Sequence, residues 1–125
     1  MSKVKLSDAE WKLMNELWEE PYLTITVLTE RMKEVTGWDK HTIITMLGRM
    51  EKKGAVSYRQ QGRAKEFYPI IGREKISEEE TESFLERVYQ GSLSLMLCQM
   101  MRREKLTAKE REELKRMLAE MEKGE

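Results

Sequence analysis

The sequence predicts a mainly α fold: a winged helix-turn-helix, made of three helices plus a β-hairpin wing, followed by a C-terminal helical region. Three observations predict it. Apolar residues recur at helical spacing in three successive stretches before Gly54, each opened by a capping residue. The period then changes to strand alternation between Ala55 and Ile70. Helical spacing returns after Ser77 and persists to Met121.

The first helix opens at Ser7-Asp8-Ala9-Glu10, a capping box. Ser7 accepts from the backbone N–H three residues on, and Glu10 reaches back. Its stripe is Leu13, Met14, Leu17 and Trp18, and it ends before Pro21. The second starts at Thr24, buries Ile25, Leu28, Met32 and Val35, and closes on Gly37, which suits a left-handed cap. The third runs from Asp39, a good N-cap, to Lys53. It turns Ile43, Met46, Leu47 and Met50 inward, and Gly54 ends it. Ala55-Val56-Ser57-Tyr58-Arg59 then alternates, Gln60-Gln61-Gly62-Arg63 turns, and Lys65-Glu66-Phe67-Tyr68-Pro69-Ile70 is rich in strand formers. The result is a hairpin with a basic tip, in which Pro69 ends the second strand or lies on an edge.

Ser77-Glu78-Glu79-Glu80 is a second capping box and opens a helix carrying Phe84, Leu85, Val88 and Tyr89. Gly91-Ser92 interrupts it. The next helix, with Leu93, Leu95, Met96, Leu97, Met100 and Met101, is apolar almost all round. Thr107-Ala108-Lys109-Glu110 is a third box, followed by the stripe Leu114, Met117, Leu118 and Met121. The boundary falls near Gly72-Arg73, giving one domain over residues 1–72 and a second over residues 73–125.

Composition excludes several classes. The 125 residues carry 23 basic and 23 acidic side chains, with 39% apolar residues, which is globular rather than disordered. One cysteine cannot form an internal disulfide or a Cys-rich zinc site, and no cofactor or metal is expected. One histidine, one cysteine and no glycine-rich phosphate loop argue against an enzyme. The ten methionines lie on apolar stripes and read as core fillers, as do Trp11, Trp18 and Trp38. No apolar run approaches the ~20 residues of a membrane span. The stretch from Met1 to Asp8 lacks the apolar segment of a secretory signal. A cytoplasmic protein without membrane insertion is the expectation.

The neutral total hides an asymmetry. Residues 1–39 carry 5 basic and 8 acidic groups, and residues 66–125 carry 11 and 14. Between them, Lys40, Arg49, Lys52, Lys53, Arg59, Arg63 and Lys65 face Glu51 alone, a net of +6. A basic island between acidic flanks is the footprint of phosphate binding. A charge run is often only a solvated face. Here the excess, one helix face and the hairpin coincide.

On the third helix, Thr42, Thr45, Arg49 and Lys52 share an exposed face away from the apolar stripe. Small hydroxyls near the helix start reach base edges, while arginine and lysine reach phosphates or guanine. Lys40 and His41 stand just inside the helix start, whose free N–H groups also favour a phosphate. Arg59, Arg63 and Lys65 put three cations on the hairpin, where a wing meets backbone or minor groove.

The residues now carry a resemblance. Ser7-x-Ala9-Glu10-x-x-x-Met14-x-x-x-Trp18 opens the chain, and Trp38-x-x-x-Thr42-Ile43-x-Thr45-x-Leu47-x-Arg49-Met50-x-x-Lys53-Gly54 follows. Gly62-Arg63, Phe67-Tyr68-Pro69, Phe84 and Tyr89-x-Gly91-Ser92 complete it. From Leu6 to about Met121 the chain resembles the BlaI/MecI family of transcriptional repressors, which includes the penicillinase repressors and a copper-responsive branch. The resemblance implies a homodimeric repressor of transcription. Its N-terminal winged helix would read half of a palindromic operator in double-stranded DNA, and its C-terminal helices would dimerise. Thr42, Thr45 and Arg49 fall where the family's recognition helix faces DNA, and Arg63 falls in the wing. Dimerisation also accounts for the tail. One small domain cannot hide both Leu93, Met96, Leu97 and Met100 on one helix and Leu114, Met117, Leu118 and Met121 on the next, whereas a second chain can.

The departures are specific. His41 stands where many members carry lysine; it is a candidate DNA contact or an exposed helix-start residue. Gly48 lies mid-helix and costs about 1 kcal/mol against alanine. Its use would be a close backbone approach to DNA or to another helix. Ile44 falls on a third, exposed face and could touch a thymine methyl. In β-lactam-responsive members a membrane sensor-protease signals, and an Asn–Phe bond in the dimer region is cut. The matching bond here is Gln99–Met100, which differs at both residues. The Cys-x-Cys pairs of the copper branch have no counterpart. Cys98, among Met and Leu, reads as a core thiol. The competing readings are a winged-helix protein-interaction module without sequence-specific DNA binding, and a small enzyme, for which no nucleophile–base pair is evident.

Overall fold

The computed structural model describes residues 4–124. Glu125 and residues 1–3, the start of the stretch read for a secretory signal, lie outside the described residues. The chain divides into two compact units, residues 1–80 and 81–125.

The first unit follows the expected order. Helix α1, Asp8–Glu19, opens with both arms of its capping box. Ser7 N–H donates to Glu10 Oε1 at 2.8 Å, and Glu10 N–H donates to Ser7 Oγ at 3.2 Å. Strand β1, Leu23–Thr24, leads into helix α2, Ile25–Thr36, whose cap Thr24 accepts from Val27 N–H. Helix α3 spans Lys40–Lys53 between Asp39 and Gly54. Gly54 sits at φ 83°, a left-handed conformation that any side chain would strain, so it reverses the chain into the wing. Strands β2, Val56–Gln61, and β3, Ala64–Pro69, form the hairpin.

The sheet has three strands, in the order β1-β3-β2, all antiparallel. The third strand is a correction to the two-stranded hairpin expected from sequence. Two residues show no period, so β1 exists only because the chain before α2 reaches the free edge of β3. Leu23 lies opposite Phe67, and Tyr22 N–H donates to the Phe67 carbonyl at 2.8 Å. Pro69 ends the central strand, opposite Val56.

The core joins the inward stripes of α1, α2 and α3 to Val56 and Phe67 of the sheet. Trp11, Trp18 and Trp38 pack against it half-buried, and Trp18 Nε1 donates to the Ile71 carbonyl at 3.0 Å. That bond ties α1 to the segment leaving the wing. Two expectations fail here. Val35 is 71% exposed, because the last turn of α2 carries it past the residues that cover Leu28 and Met32; Ile25 is half-buried. Helix α4 spans Arg73–Tyr89, so Ser77 lies inside it rather than at its cap. Ile76 is buried and its N–H donates to the Gly72 carbonyl. Burial of that side chain extends the helix upstream, and a Ser-x-x-Glu pattern has no capping role inside a turn already formed.

The second unit holds the end of α4, helix α5, Leu93–Arg102, and helix α6, Ala108–Lys123. Gln90 and Gly91, both with positive φ, break the chain, and Ser92 caps α5. Thr107 and Glu110 form both arms of the box on α6. Neither α5 nor α6 buries a residue. Cys98 is accordingly exposed, not the core thiol expected, since no residue of this helix is buried among the described residues.

Candidate nucleic-acid interface

Helix α3 is oriented by its buried stripe. Ile43, Met46, Leu47 and Met50 are each at most 3% exposed, so the opposite face must look outward. His41, Thr45, Arg49 and Lys52 are exposed on it, Thr42 is half-buried, and Lys40 is exposed at the helix start. The start of the helix is built by Asp39, whose Oδ1 accepts from Thr42 N–H at 2.9 Å. The Thr42 backbone N–H, then its hydroxyl, with a smaller contribution from His41, hold the Asp39 carboxyl below its ordinary range. The cap therefore stays ionised and keeps the first turn in register beneath Lys40 and His41.

The cations of the basic island are not equivalent. Lys53 Nζ donates to Glu10 Oε1 at 2.5 Å and to the Lys5 carbonyl at 2.8 Å. Burial disfavours the Glu10 carboxylate, but Lys53 and the Ser7 N–H outweigh it and lower the pKa. Arg59 Nε donates to Glu66 Oε1 at 2.8 Å, across the register that pairs the two residues. Lys65 Nζ stands 4.4 Å from the Tyr58 ring centroid. Among the described residues, Lys40, Arg49, Lys52 and Arg63 have no acidic partner within ion-pair distance. The open positive charge is thus concentrated on the outward face of α3 and the tip of the wing.

A cleft of about 460 Å³ joins these parts. It is lined by Thr24, Ile25 and Thr26 at the start of α2, Lys40 at the start of α3, and Arg63, Ala64 and Lys65 at the wing tip. Sequence reasoning missed Thr24 and Thr26. Thr24 was legible only as a helix cap, and what brings both threonines beside Lys40 and Arg63 is the pairing of β1 with β3.

The dimerisation candidates lie in the second unit. Leu93, Met100, Met117, Leu118 and Met121 are exposed, the last two at 60% and 70%, and Met96, Leu97 and Leu114 are half-buried. Gln99 and Met100 sit within α5, and the Gln99 side-chain amide oxygen Oε1 accepts from the Tyr89 hydroxyl. No helix of the described residues is long and apolar enough to cross a membrane.

The family model described as penicillinase repressor matches residues 6–120. The chain is similar to the penicillinase repressor of Bacillus licheniformis, 31% identical over 96% of this chain and 94% of that protein. It is also similar to the methicillin resistance regulatory protein MecI of Staphylococcus aureus (strain N315), at 26% identity over 91% of this chain and 93% of that one. Among solved structures it resembles the monomeric form of Bacillus licheniformis BlaI in complex with the blaP half-operator. The TM-score is 0.52 at 31% identity, over 58% of this chain and 90% of that one.

Proposed function

The chain belongs to the penicillinase repressor family, and on that premise we propose that it is a DNA-binding transcriptional repressor that acts as a homodimer, each winged helix reading one half of a palindromic operator. The family comprises repressors, not enzymes. The observation that carries the reading is the coincidence of unpaired cations and hydroxyls on one face: Thr42, Thr45, Arg49 and Lys52 on α3, with Arg63 on the wing. A protein-binding winged helix has no need of that face. The relative bound to a half-operator as a monomer fits the division of labour, one winged helix to each half-site.

The DNA-reading part is assigned to residues 1–72 and the dimerising part to 73–125. The uncovered apolar faces of α5 and α6 support the latter, since a second copy would remove Leu93, Leu118 and Met121 from water. Its place of action is the cytoplasm, where the operator is. Derepression by a membrane sensor-protease would cut Gln99–Met100. Both residues are exposed but helical, so the segment must unwind to enter a protease. Intact-mass measurement of the repressor from induced cells tests this: a fragment ending at Gln99 supports it, and a full-length chain in derepressed cells sinks it.

Selection of bound DNA from a random duplex pool, at moderate salt, tests the central reading. The expected product is a palindrome with half-sites about one helical turn apart, or a multiple of that. No enrichment by folded protein would leave the interaction module as the reading.

A further inference from the structure

We infer that Ile44 and Gly48 form an open notch on one flank of the outward face of α3 that receives the C5-methyl group of a thymine, so that each half-site carries an A·T pair there. The inference rests on the DNA-binding reading above and specifies its chemistry.

The notch is fixed by the helix itself. With Ile43, Met46, Leu47 and Met50 buried, the direction opposite falls between Gly48 and Lys52, flanked by His41 and Thr45. Gly48 therefore sits where a recognition helix points most directly into a groove. Glycine is a poor helix former, and here nothing among the described residues requires it. Its φ is not in the left-handed region, unlike that of Gly37 and Gly54 at the helix ends. Beyond its own helix backbone and chain neighbours, a Cβ built on it would meet no atom of the described residues within 4 Å, the side chains of Ile44 and Lys52 included. The sequence left two uses for this glycine, close approach to another helix or to DNA. The open space removes packing against another helix of the first unit, and the outward face points to DNA.

Ile44 gives the notch its chemistry. It is 44% exposed, one turn before Gly48, on the flank of α3 between the buried stripe and the face that carries Thr45, Arg49 and Lys52. Of the four bases, only thymine presents a methyl group in the major groove; the others would set a donor or an acceptor against the isoleucine. Thr45, Arg49 and Lys52 lie to one side of the notch and supply the polar contacts that hold the helix at depth.

The test uses the half-site DNA that the full chain selects. Each thymine is replaced singly by deoxyuridine, which removes only the methyl, and Kd is measured for wild type, Ile44→Ala and Gly48→Ala. Wild type is expected to lose about three- to fivefold at one thymine per half-site. Ile44→Ala is expected to bind thymine and uracil there equally. Gly48→Ala is expected to melt several degrees higher, by about 3–6 °C, yet to bind specific DNA about tenfold more weakly, because its methyl occupies the notch. A flat uracil scan on tightly bound DNA, or a Gly48→Ala variant that binds like wild type, overturns the notch alone. No DNA binding by wild type overturns the repressor reading and the notch with it.

Discussion

The Arg59 guanidinium carbon sits 3.7 Å from the centroid of the Tyr22 ring. Arg59 is also paired to Glu66 on the neighbouring strand, and Tyr22 stacks on Tyr68 at 5.2 Å between centroids. Tyr22 holds φ 67°, an unfavourable conformation for a bulky residue. It is retained because its N–H pairs with the Phe67 carbonyl while its ring lies under Arg59. Arg59 thus links the wing to the turn that precedes α2, and its charge is already committed.

Arg59 and Arg63 should therefore separate in a salt titration. Arg63→Ala is expected to reduce the slope of log K against log salt by about one, the signature of a lost phosphate contact. Arg59→Ala is expected to weaken binding with the slope unchanged, since it loosens the wing. An equal loss of slope in both variants would put Arg59 on a phosphate.

Arg49 lies on the outward face of α3 and has no acidic partner among the described residues. If it reads a base, Arg49→Ala should cost about 1–3 kcal/mol on selected DNA and much less on random duplex. Competition binding with both DNAs checks this; equal losses would make it a backbone contact.

The Glu10–Lys53 pair predicts a pH dependence of stability. Glu10 is 2% exposed and its carboxyl is held below the ordinary range. A lowered carboxylate pKa contributes stability that is complete above the ordinary glutamate range and is lost as pH falls through the lowered value. Lys53→Met leaves that carboxylate with the Ser7 N–H alone and should cost about 1–3 kcal/mol at neutral pH. The half-exposed ammonium favours the lower end. The gap between variant and wild type should narrow in acid as Glu10 takes up a proton. Urea unfolding across pH 3–7 measures it, and a pH-independent gap would remove the charge from the explanation.

Leu118, 60% exposed on α6, belongs to the proposed dimer interface. Leu118→Asp is expected to sediment as a monomer with its helical content retained. A variant that still sediments as a dimer would refute the interface.

Much of this architecture was readable from local chemistry. Ser7 with Glu10, Thr24, Asp39 and Thr107 cap helices where the sequence places caps, because a cap involves residues within one turn of each other. The stripe of α3 is buried as its spacing requires, and so the outward placement of Thr45, Arg49 and Lys52 follows from it. Where a local signal competed with a distant one, the local reading failed. Ser77 looked like a cap, but burial of Ile76 started α4 earlier; Val35 had the right spacing, but no neighbour reaches it.

By itself, the sequence determined the helices, the hairpin, the inward face of α3 and the concentration of positive charge between residues 40 and 65. All of these depend on periodicity, capping or composition, which act over a few residues. The tertiary structure decided which charges remain open. Lys53 is drawn to Glu10, 43 residues away in sequence, while Arg59 is drawn to Tyr22 through a two-residue strand with no period of its own. It also decided that, among the described residues of the first unit, no neighbouring element fills the space before Gly48. A string of residues shows which groups carry charge or lack a side chain; only folding sets the distances that neutralise one charge and leave the next, or one bare stretch of backbone, open.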